Sequence, residues 1–157
     1  MSVNIPVAAV CLNTIIQGDC IDVLKNFPDN SIDLIFADPP YNMQLENTLY
    51  RPNNTKVAGV DDEWDKFGSF TDYDNFCIAW LRECRRILKN TGTIWVIGSY
   101  HNIFRVGAIM LDLGFWILND VTWHTITKKP AGRKNNNHGV TRSFHTKIIF
   151  TSVKLRG

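Results

Sequence analysis

A short apolar run followed by two prolines constrains the fold of this chain more than any other stretch. Residues 32–37 read Ile-Asp-Leu-Ile-Phe-Ala, and Asp38, Pro39, Pro40 and Tyr41 follow them. Branched and aromatic residues at this density are typical of a buried parallel strand. Proline lacks a backbone donor and has a fixed φ, so the strand ends here and a stiff corner follows. Open α/β sheets bind ligands at the carboxyl ends of their strands, which makes this corner a candidate site.

The corner has the acceptors needed to hold an exocyclic amine. The carboxylate of Asp38 and the carbonyl of Pro39 can accept both hydrogens of an NH₂ group, which leaves the nitrogen lone pair free to attack. Tyr41 offers a flat ring on which a planar base can stack. The simpler alternative is a turn at the end of a strand with a solvated aspartate. We favour the site because the motif follows an apolar strand and includes the aromatic ring.

Helical and strand patterns around the corner indicate an α/β protein. Residues 13–20 are predicted to form a short strand and then a helix as far as Phe27, and further helices are predicted over 71–88 and 103–113. Strands are predicted over 93–97, 115–123 and 147–153. This alternation predicts a doubly wound sheet with an antiparallel hairpin at one edge.

Within the predicted helices, periodicity separates a core face from an exposed face. Thr71 is the expected cap of the longer helix. Its aromatic and cysteine side chains are assigned to the core, and the basic residues lie outside. In the helix over 103–113, one apolar face is assigned and Gly114 is the expected end. Tyr100 and His101 are candidates for a pocket wall only. The residues assigned to the exposed face of the helix over 71–88 are Arg82, Arg85, Arg86 and Lys89. Those assigned to the apolar face of the helix over 103–113 are Phe104, Gly107, Ala108 and Leu111.

Composition limits the class of protein. At 157 residues the chain has the length of one domain, and 45% hydrophobic with 20% charged residues is ordinary globular composition. No apolar run approaches the length of a membrane span, and the apolar stretch 3–12 lacks a basic leader, so the cytoplasm is the expected compartment. The four cysteines have no C-x-x-C spacing, which favours buried, reduced thiols over a zinc or redox site.

Positive charge is concentrated at the carboxyl end. Residues 1–120 hold all 15 acidic and 9 of the 17 basic residues, a net charge of −6, whereas residues 121–157 hold 8 basic and no acidic residues, a net charge of +8. A flexible basic loop of this kind is suited to contact phosphates, and a solvated charged tail is the alternative. Because the loop accompanies a corner suited to a base, we favour DNA contact by Lys128, Lys129, Arg133, Lys134 and Arg142.

These segments resemble a known family. The Asp-Pro-Pro-Tyr corner is similar to that of amino-methyltransferases, which move a methyl group from S-adenosylmethionine to adenine N6 or cytosine N4 in DNA. Over residues 13–123 the chain looks like the amino-terminal portion of bacterial β-class DNA adenine methyltransferases, most closely the cell-cycle-regulated enzymes that methylate GANTC sites. Residues 124–157 match poorly. The matching stretches are 17–20, 33–42, 80–89 and 92–114, extended by Asn119, Asp120 and Trp123.

The resemblance implies a Rossmann-like, mostly parallel methyltransferase sheet that uses S-adenosylmethionine. It implies catalytic roles for Asp38, Pro39, Pro40 and Tyr41, and it places Asp19, together with Asp38, near the cofactor. An equal alternative for Asp19 is that it caps the helix that follows. The resemblance also adds Asn42 to the candidate DNA contacts, and it implies no metal.

Parts of the family pattern are missing from this sequence. No Gly-x-Gly occurs, so the loop that receives the methionine end of the cofactor has no counterpart. The two strands expected between the Asp19 strand and the Asp38 strand are also missing. We therefore predict that residues 1–157 form one partial catalytic domain with an incomplete sheet, whose unpaired edge favours association. Such a chain would be a truncated frame or one piece of a split enzyme, joined by a second copy or a complementary chain.

Several functions stay open at this stage. The first is transfer of a methyl group to N6 of a flipped adenine in double-stranded DNA, and transfer to cytosine N4 uses the same corner. A methyltransferase that acts on structured RNA carries a similar motif. The missing cofactor loop and the basic tail also suit an inactive DNA-binding or dimerising remnant. The least specific alternative is a pseudogene product with no stable fold.

Overall fold

One mixed sheet and the helices packed on it make up the described part of the chain. The computed structural model describes residues 12–42, 65–99, 101–125 and 144–152. The strands of these ranges form a sheet in the order β1-β2-β4-β3. The elements are α1 (Cys20–Leu24), β1 (Ile32–Ala37), α2 (Phe70–Ile87), β2 (Leu88–Ser99), α3 (Ile103–Asp112), β3 (Trp116–Thr125) and β4 (Phe144–Ser152).

Three of these four strands run in the same direction. β1 pairs with β2 in parallel, and β4 is antiparallel to both β2 and β3, so β3 runs parallel to β2. The α/β class and the antiparallel hairpin are confirmed. The carboxyl ends of β1, β2 and β3 therefore share one edge of the sheet, and the corner that begins at Asp38 lies on that edge.

The helices of the described ranges cover one face of the sheet. On β2, Ile94 and Val96 are fully buried beneath them. On β1, Ile35 packs against the same core, whereas Leu34 and Phe36 are 58% and 61% exposed on the opposite face. The prediction that this strand is buried on both faces, as in a doubly wound sheet, is therefore wrong for the described residues, because no described helix lies over the second face.

The residues before α1 do not form the predicted strand. Residues 14–17 have no regular structure, and Ile15 is 98% exposed. A strand needs a neighbour to accept and donate its backbone hydrogen bonds, and the two strands expected beside this segment have no counterpart in the sequence. The helix that follows is also shorter than predicted, ending at Leu24 instead of Phe27.

The boundaries of α2 differ from the prediction at both ends. Ser69 is the N-cap, and its Oγ accepts from the backbone N–H of Asp72 at 3.1 Å, so Thr71 lies inside the helix. At the other end the chain passes from α2 directly into β2, with no turn at 90–92. Gly92 is instead a strand residue at which β1 approaches closely, because a Cβ there would lie 3.1 Å from the carbonyl oxygen of Ile32.

Arg86 is another departure on α2, since it was assigned to the exposed face. Its side chain is 29% exposed, and its guanidinium donates to the carbonyls of Leu24 at 2.9 Å and Phe27 at 2.8 Å. It also pairs with Asp29 and with Glu83. Arg86 thus ties the carbonyls at and after the end of α1 to α2, a role that its helical position alone does not reveal. Arg85 is likewise partly buried.

The buried face of α3 differs from the one predicted, because Gly107 is the one residue of the four assigned to it that is buried. Phe104 and Leu111 are 67% and 58% exposed, and Ala108 is exposed as well. Two apolar sets in this helix repeat every three to four residues, so periodicity alone does not choose between them, and packing on the sheet does. Gly114 ends the helix with a φ of +82°, as predicted. The buried residues are Ile103, Val106, Gly107, Ile109 and Met110.

Two remaining expectations concern cysteines and membrane spans. Cys77 and Cys84 are buried free thiols, as predicted, whereas Cys20 is exposed and Cys11 lies outside the described residues. Among the helices of the described ranges, none has both the length and the apolar character needed to cross a bilayer.

Candidate active site

The corner borders a cavity at the carboxyl end of β1. The cavity has a volume of about 340 Å³, which is within the range of small-molecule sites, and it lies between the corner, the α1 region and α2. Asp38 is the one acidic residue among its described lining residues, and most of the others are apolar. The lining residues are Ile16, Gly18, Cys20, Val23, Leu24, Ile35, Ala37, Asp38, Pro39, Pro40, Phe76, Trp80 and Cys84.

Tyr41 folds back onto Asp38. Its hydroxyl donates to Asp38 Oδ1 at 2.6 Å. Burial, together with this hydrogen bond, raises the pKa of Tyr41, so the hydroxyl keeps its proton and acts as a donor. A carboxylate has about four acceptor positions on its two oxygens, so Asp38 retains capacity for a second donor such as an amine. The structure therefore brings together the two side chains of the predicted corner, and adds a contact between them that the sequence analysis did not include.

Two residues assigned no role at the corner by the sequence analysis hold it in place. The hydroxyl of Tyr73, on α2, donates to the carbonyl of Pro40 at 2.9 Å. Asn102, at the carboxyl end of β2, donates from Nδ2 to the Tyr73 oxygen at 2.9 Å. The helical pattern predicts Tyr73 as a core residue, and it is 1% exposed. A signal was available, because a buried tyrosine hydroxyl nearly always needs a polar partner.

The chain turns sharply after the corner. Asn42 has a φ of +51°, in the left-handed region that asparagine tolerates better than most residues. Its backbone N–H donates to Asp65 Oδ1 at 2.7 Å, so the two ends of the 43–64 segment are held together beside the corner. Its side-chain oxygen Oδ1 is buried and has no hydrogen-bond partner among the described residues. The stretch 42–59, whose asparagine, proline and glycine content predicts a long loop, otherwise lies outside the described residues.

Asp19 caps α1. Its Oδ1 accepts from the backbone N–H groups of Ile21 at 2.9 Å and Asp22 at 3.1 Å. The capping alternative is thus confirmed. Its neighbours Gly18 and Cys20 line the cavity, so Asp19 lies beside it, and the cap does not involve Oδ2.

The candidate DNA contacts in the basic segment, Lys128, Lys129, Arg133, Lys134 and Arg142, lie outside the described residues, as does Tyr100. The backbone of the flanking strands nevertheless shows where that segment leaves the sheet. It follows the carboxyl end of β3 and precedes β4, where Trp123 is paired with Thr146 and Thr146 with Ser99. Both of its ends are therefore at the edge of the sheet that carries the corner. His101 is exposed at the same edge.

In the described ranges there is no group of three or more side chains suited to hold a metal ion.

Comparison with known proteins identifies the class. A profile described as DNA methylase, of the N6_N4_Mtase family, matches residues 32–155, and the chain belongs to this family. It is 60% identical over 131 residues to the type II methyltransferase M.HinfI of Haemophilus influenzae, and 42% identical over 117 residues to M2.MboI of Moraxella bovis. These matches cover 83% and 74% of this chain but 35% and 42% of the relatives, so the chain spans well under half of their length.

Solved structures support the fold. The PvuII DNA methyltransferase, which is cytosine-N4-specific, aligns with a TM-score of 0.56 at 21% identity, covering 86% of this chain and 47% of that one. TTHA0409 of Thermus thermophilus, crystallised with S-adenosyl-L-methionine, aligns with a TM-score of 0.53 at 21% identity, covering 86% and 53%. Their partial coverage agrees with an incomplete methyltransferase fold.

Proposed function

We propose that this chain is the part of a DNA methyltransferase that holds the target base, and that the reaction is methyl transfer to N6 of adenine in double-stranded DNA. The single observation that carries the proposal is the position of the corner. In a chain of the DNA methylase family, Asp38, Pro39 and Pro40 border a cavity at the carboxyl end of a parallel strand. Such an edge is where α/β sheets bind ligands.

The corner promotes methyl transfer by holding the base in a fixed position. The adenine is flipped out of the duplex, because its amine cannot be reached within the stack. Its ring stacks on Tyr41, while Asp38 and the Pro39 carbonyl accept the two amine hydrogens. The N6 lone pair is then directed at the donor, and the hydrogen bonds strengthen as positive charge develops on the nitrogen. S-adenosylmethionine would supply the methyl group as an electrophile: its S–CH₃ bond would break as the N–CH₃ bond forms, S-adenosylhomocysteine would leave, and the amine would lose one proton, for which the Asp38 carboxylate is an acceptor.

The described residues fit the nucleoside end of this cofactor. The cavity beside the corner has room and an apolar lining for a flat base, and its lining includes Gly18 and Cys20, the neighbours of Asp19 in the chain. Asp19 and Asp38 are the residues that we assign to cofactor binding. The cap formed by Asp19 involves Oδ1, so the role of helix cap and the role of cofactor contact are compatible.

DNA contact is assigned to Asn42 and to the basic segment. The segment leaves and rejoins the sheet at the edge that carries the corner, so Lys128, Lys129, Arg133, Lys134 and Arg142 start from the side on which the base is held. Lysine and arginine on this side would bind phosphates and orient the duplex without reading its sequence. We therefore expect duplex binding that weakens steeply as salt is added.

The second edge of β1 is suited to pair with a further strand. β1 pairs with β2 on one side, and no described strand pairs with its other edge. We infer that a complementary chain, or a second copy, completes the sheet beside β1 and supplies the missing cofactor loop, in the cytoplasm. The alternative is the inactive remnant considered above, a chain that binds DNA but transfers no methyl group.

Transfer to cytosine N4 is the second candidate. One observation favours it, which is the structural similarity to the cytosine-N4-specific PvuII enzyme. The corner accepts either exocyclic amine, because both are NH₂ groups on a planar ring. The resemblance of residues 13–123 to adenine methyltransferases makes adenine the first choice.

The proposal is tested by identifying the methylated base. The chain, alone and with candidate complementary chains, is incubated with methyl-labelled S-adenosylmethionine and a GANTC duplex, and the DNA is digested to nucleosides. We expect label in N6-methyladenine, with a duplex RNA of the same sequence unlabelled. Label in N4-methylcytosine would instead establish the second candidate. Absence of label in every combination, together with no heat on titration with millimolar S-adenosylmethionine, would contradict enzymatic activity.

A further inference from the structure

A chain of hydrogen bonds crosses the sheet edge beneath the corner. Asn102 Oδ1 accepts from the backbone N–H of Ser99 at 2.9 Å, Asn102 Nδ2 donates to Tyr73 at 2.9 Å, and Tyr73 donates to the Pro40 carbonyl at 2.9 Å. It therefore links the carboxyl end of β2 to the residues that follow β1. We name these four residues, Ser99, Asn102, Tyr73 and Pro40, the corner anchor.

Each hydrogen bond in the corner anchor has a fixed donor and a fixed acceptor. A proline carbonyl only accepts, so Tyr73 must donate its single hydroxyl proton to Pro40. The amide of Asn102 must then donate to the Tyr73 oxygen, while its own oxygen accepts from Ser99. Burial raises the pKa of Tyr73, so the hydroxyl keeps this proton. These directions admit no reversal.

Asn102 occupies a position that normally serves a different purpose. It is the N-cap residue of α3, where an asparagine side chain usually accepts from the first turn of its own helix. Here the side chain makes no such bond, and it is 2% exposed beneath the corner. Gly98 leaves room for both Ile103 and Asn102, since a Cβ at that position would lie 2.5 Å from Ile103 Cδ1 and 3.2 Å from Asn102 Oδ1. The helix forgoes its usual cap, and the side chain serves the corner anchor instead.

The ring of Tyr73 is also fixed. Phe67 packs edge-on against it, with ring centroids 5.0 Å apart and planes at 76°. Buried at 1% exposure, the ring leaves its hydroxyl little freedom to move away from Pro40.

Anchoring the carbonyl of Pro40 also fixes the carbonyl of Pro39. The pyrrolidine ring locks φ of Pro40, and the hydrogen bond from Tyr73 fixes the peptide plane that follows it. With both torsions of Pro40 set, the preceding plane, which carries the Pro39 carbonyl, cannot rotate independently. The peptide plane after Pro40 also contains the amide of Tyr41, whose hydroxyl is bound to Asp38 at 2.6 Å.

We propose that Tyr73 and Asn102 are positioning residues for the amine-holding corner, acting through the carbonyl of Pro40. The role rests on the proposed function, because it concerns the acceptors that hold the target amine. A misplacement of about 1 Å at a reacting centre is enough to cost on the order of 10²-fold in rate. Loss of the anchor should therefore slow transfer far more than it weakens DNA binding.

The anchor itself can be observed without any activity. The chain has one Pro-Tyr dipeptide, Pro40-Tyr41, so labelling proline at the carbonyl carbon with ¹³C and tyrosine with ¹⁵N gives a single carbonyl-to-amide correlation in the NMR spectrum. We expect Tyr73→Phe to move the Pro40 carbonyl resonance upfield, as a lost hydrogen bond requires, and Asn102→Ala to move it in the same direction by less. Ile87→Val is the control, because Ile87 is 2% exposed and lies at the opposite end of α2.

The positioning role is read from single-turnover methyl transfer to the duplex. Tyr73→Phe should lower the transfer rate about 10- to 100-fold with duplex Kd unchanged within about twofold, and the double variant with Asn102→Ala should lose no more than the larger single loss. If the Pro40 carbonyl resonance does not move in Tyr73→Phe, the claim that Tyr73 holds Pro40 is wrong. A moved resonance with an unchanged rate overturns the positioning role. If the wild-type chain transfers no methyl group, either alone or with any complementary chain, the proposed function fails, and the resonance alone then decides whether Tyr73 holds Pro40.

Discussion

Replacing Asp38 with alanine will reduce methyl transfer by roughly 10²- to 10³-fold or more, the loss typical of removing one preorganised polar partner from a reacting centre. The substitution removes the carboxylate that accepts one amine hydrogen and frees the Tyr41 hydroxyl that now donates to it. Both effects release the target amine. Duplex affinity should change little, because phosphate contacts dominate it. Transfer rates under single-turnover conditions and duplex Kd by fluorescence anisotropy measure the two quantities separately.

Asp33→Ala is the matched control for this variant. Asp33 lies on the same strand and loses the same charge, but its side chain is 77% exposed and pairs with Lys89, at the opposite end of β1 from the corner. An exposed pair of this kind contributes little to stability. Equal losses of transfer in the two variants would show that charge, and not the position of the Asp38 carboxylate, controls the rate. Loss of duplex binding in Asp38→Ala would show that the corner serves DNA binding.

Leu81→Ala will destabilise the fold by about 2–5 kcal/mol, the cost of deleting a fully buried leucine side chain. Leu81 is 0% exposed at the centre of α2, in the core that α2 and α3 form against the sheet. Free energies of unfolding for domains of this size are about 5–15 kcal/mol, so the loss is a large share of the total. Urea denaturation followed by circular dichroism measures it as a lower midpoint with an unchanged slope.

Leu111→Ala is the same chemical change at an exposed position. Leu111, on α3, is 58% exposed, and a substitution there should shift the free energy of unfolding by less than about 0.5 kcal/mol. The pair also tests which face of α3 is buried. A cost at Leu111 similar to that at Leu81 would mean that the apolar face predicted from periodicity is covered after all.

The parts of the fold that the sequence predicted are those decided by local pattern. The apolar run at 32–37 and the prolines after it specify where β1 ends, and the structure has that end at Ala37. The spacing in α2 likewise identifies Tyr73, Cys77, Trp80 and Leu81 as core residues, all of which are buried. In each case the residue types within one segment determine the outcome, so no knowledge of distant neighbours is required.

The parts that sequence reasoning missed depend on distant neighbours. The hydroxyl of Tyr73 contacts Pro40, 33 residues away, and Asn102, 29 residues away, and periodicity along α2 carries no information about either. Residues 14–17 fail to form a strand for the opposite reason, since their pattern is suitable but their expected neighbours are missing. Both cases show that local pattern gives the element or its core face, while long-range contacts decide whether it forms and what its polar atoms bind.

The most direct test of the account is a crystal structure of the chain with a GANTC duplex and an unreactive analogue of S-adenosylmethionine. We predict an extrahelical adenine at the corner, with N6 within about 3 Å of both the Asp38 carboxylate and the Pro39 carbonyl. An adenine that stays stacked in the duplex, or whose amine contacts neither group, would contradict the claim that this corner holds the target base.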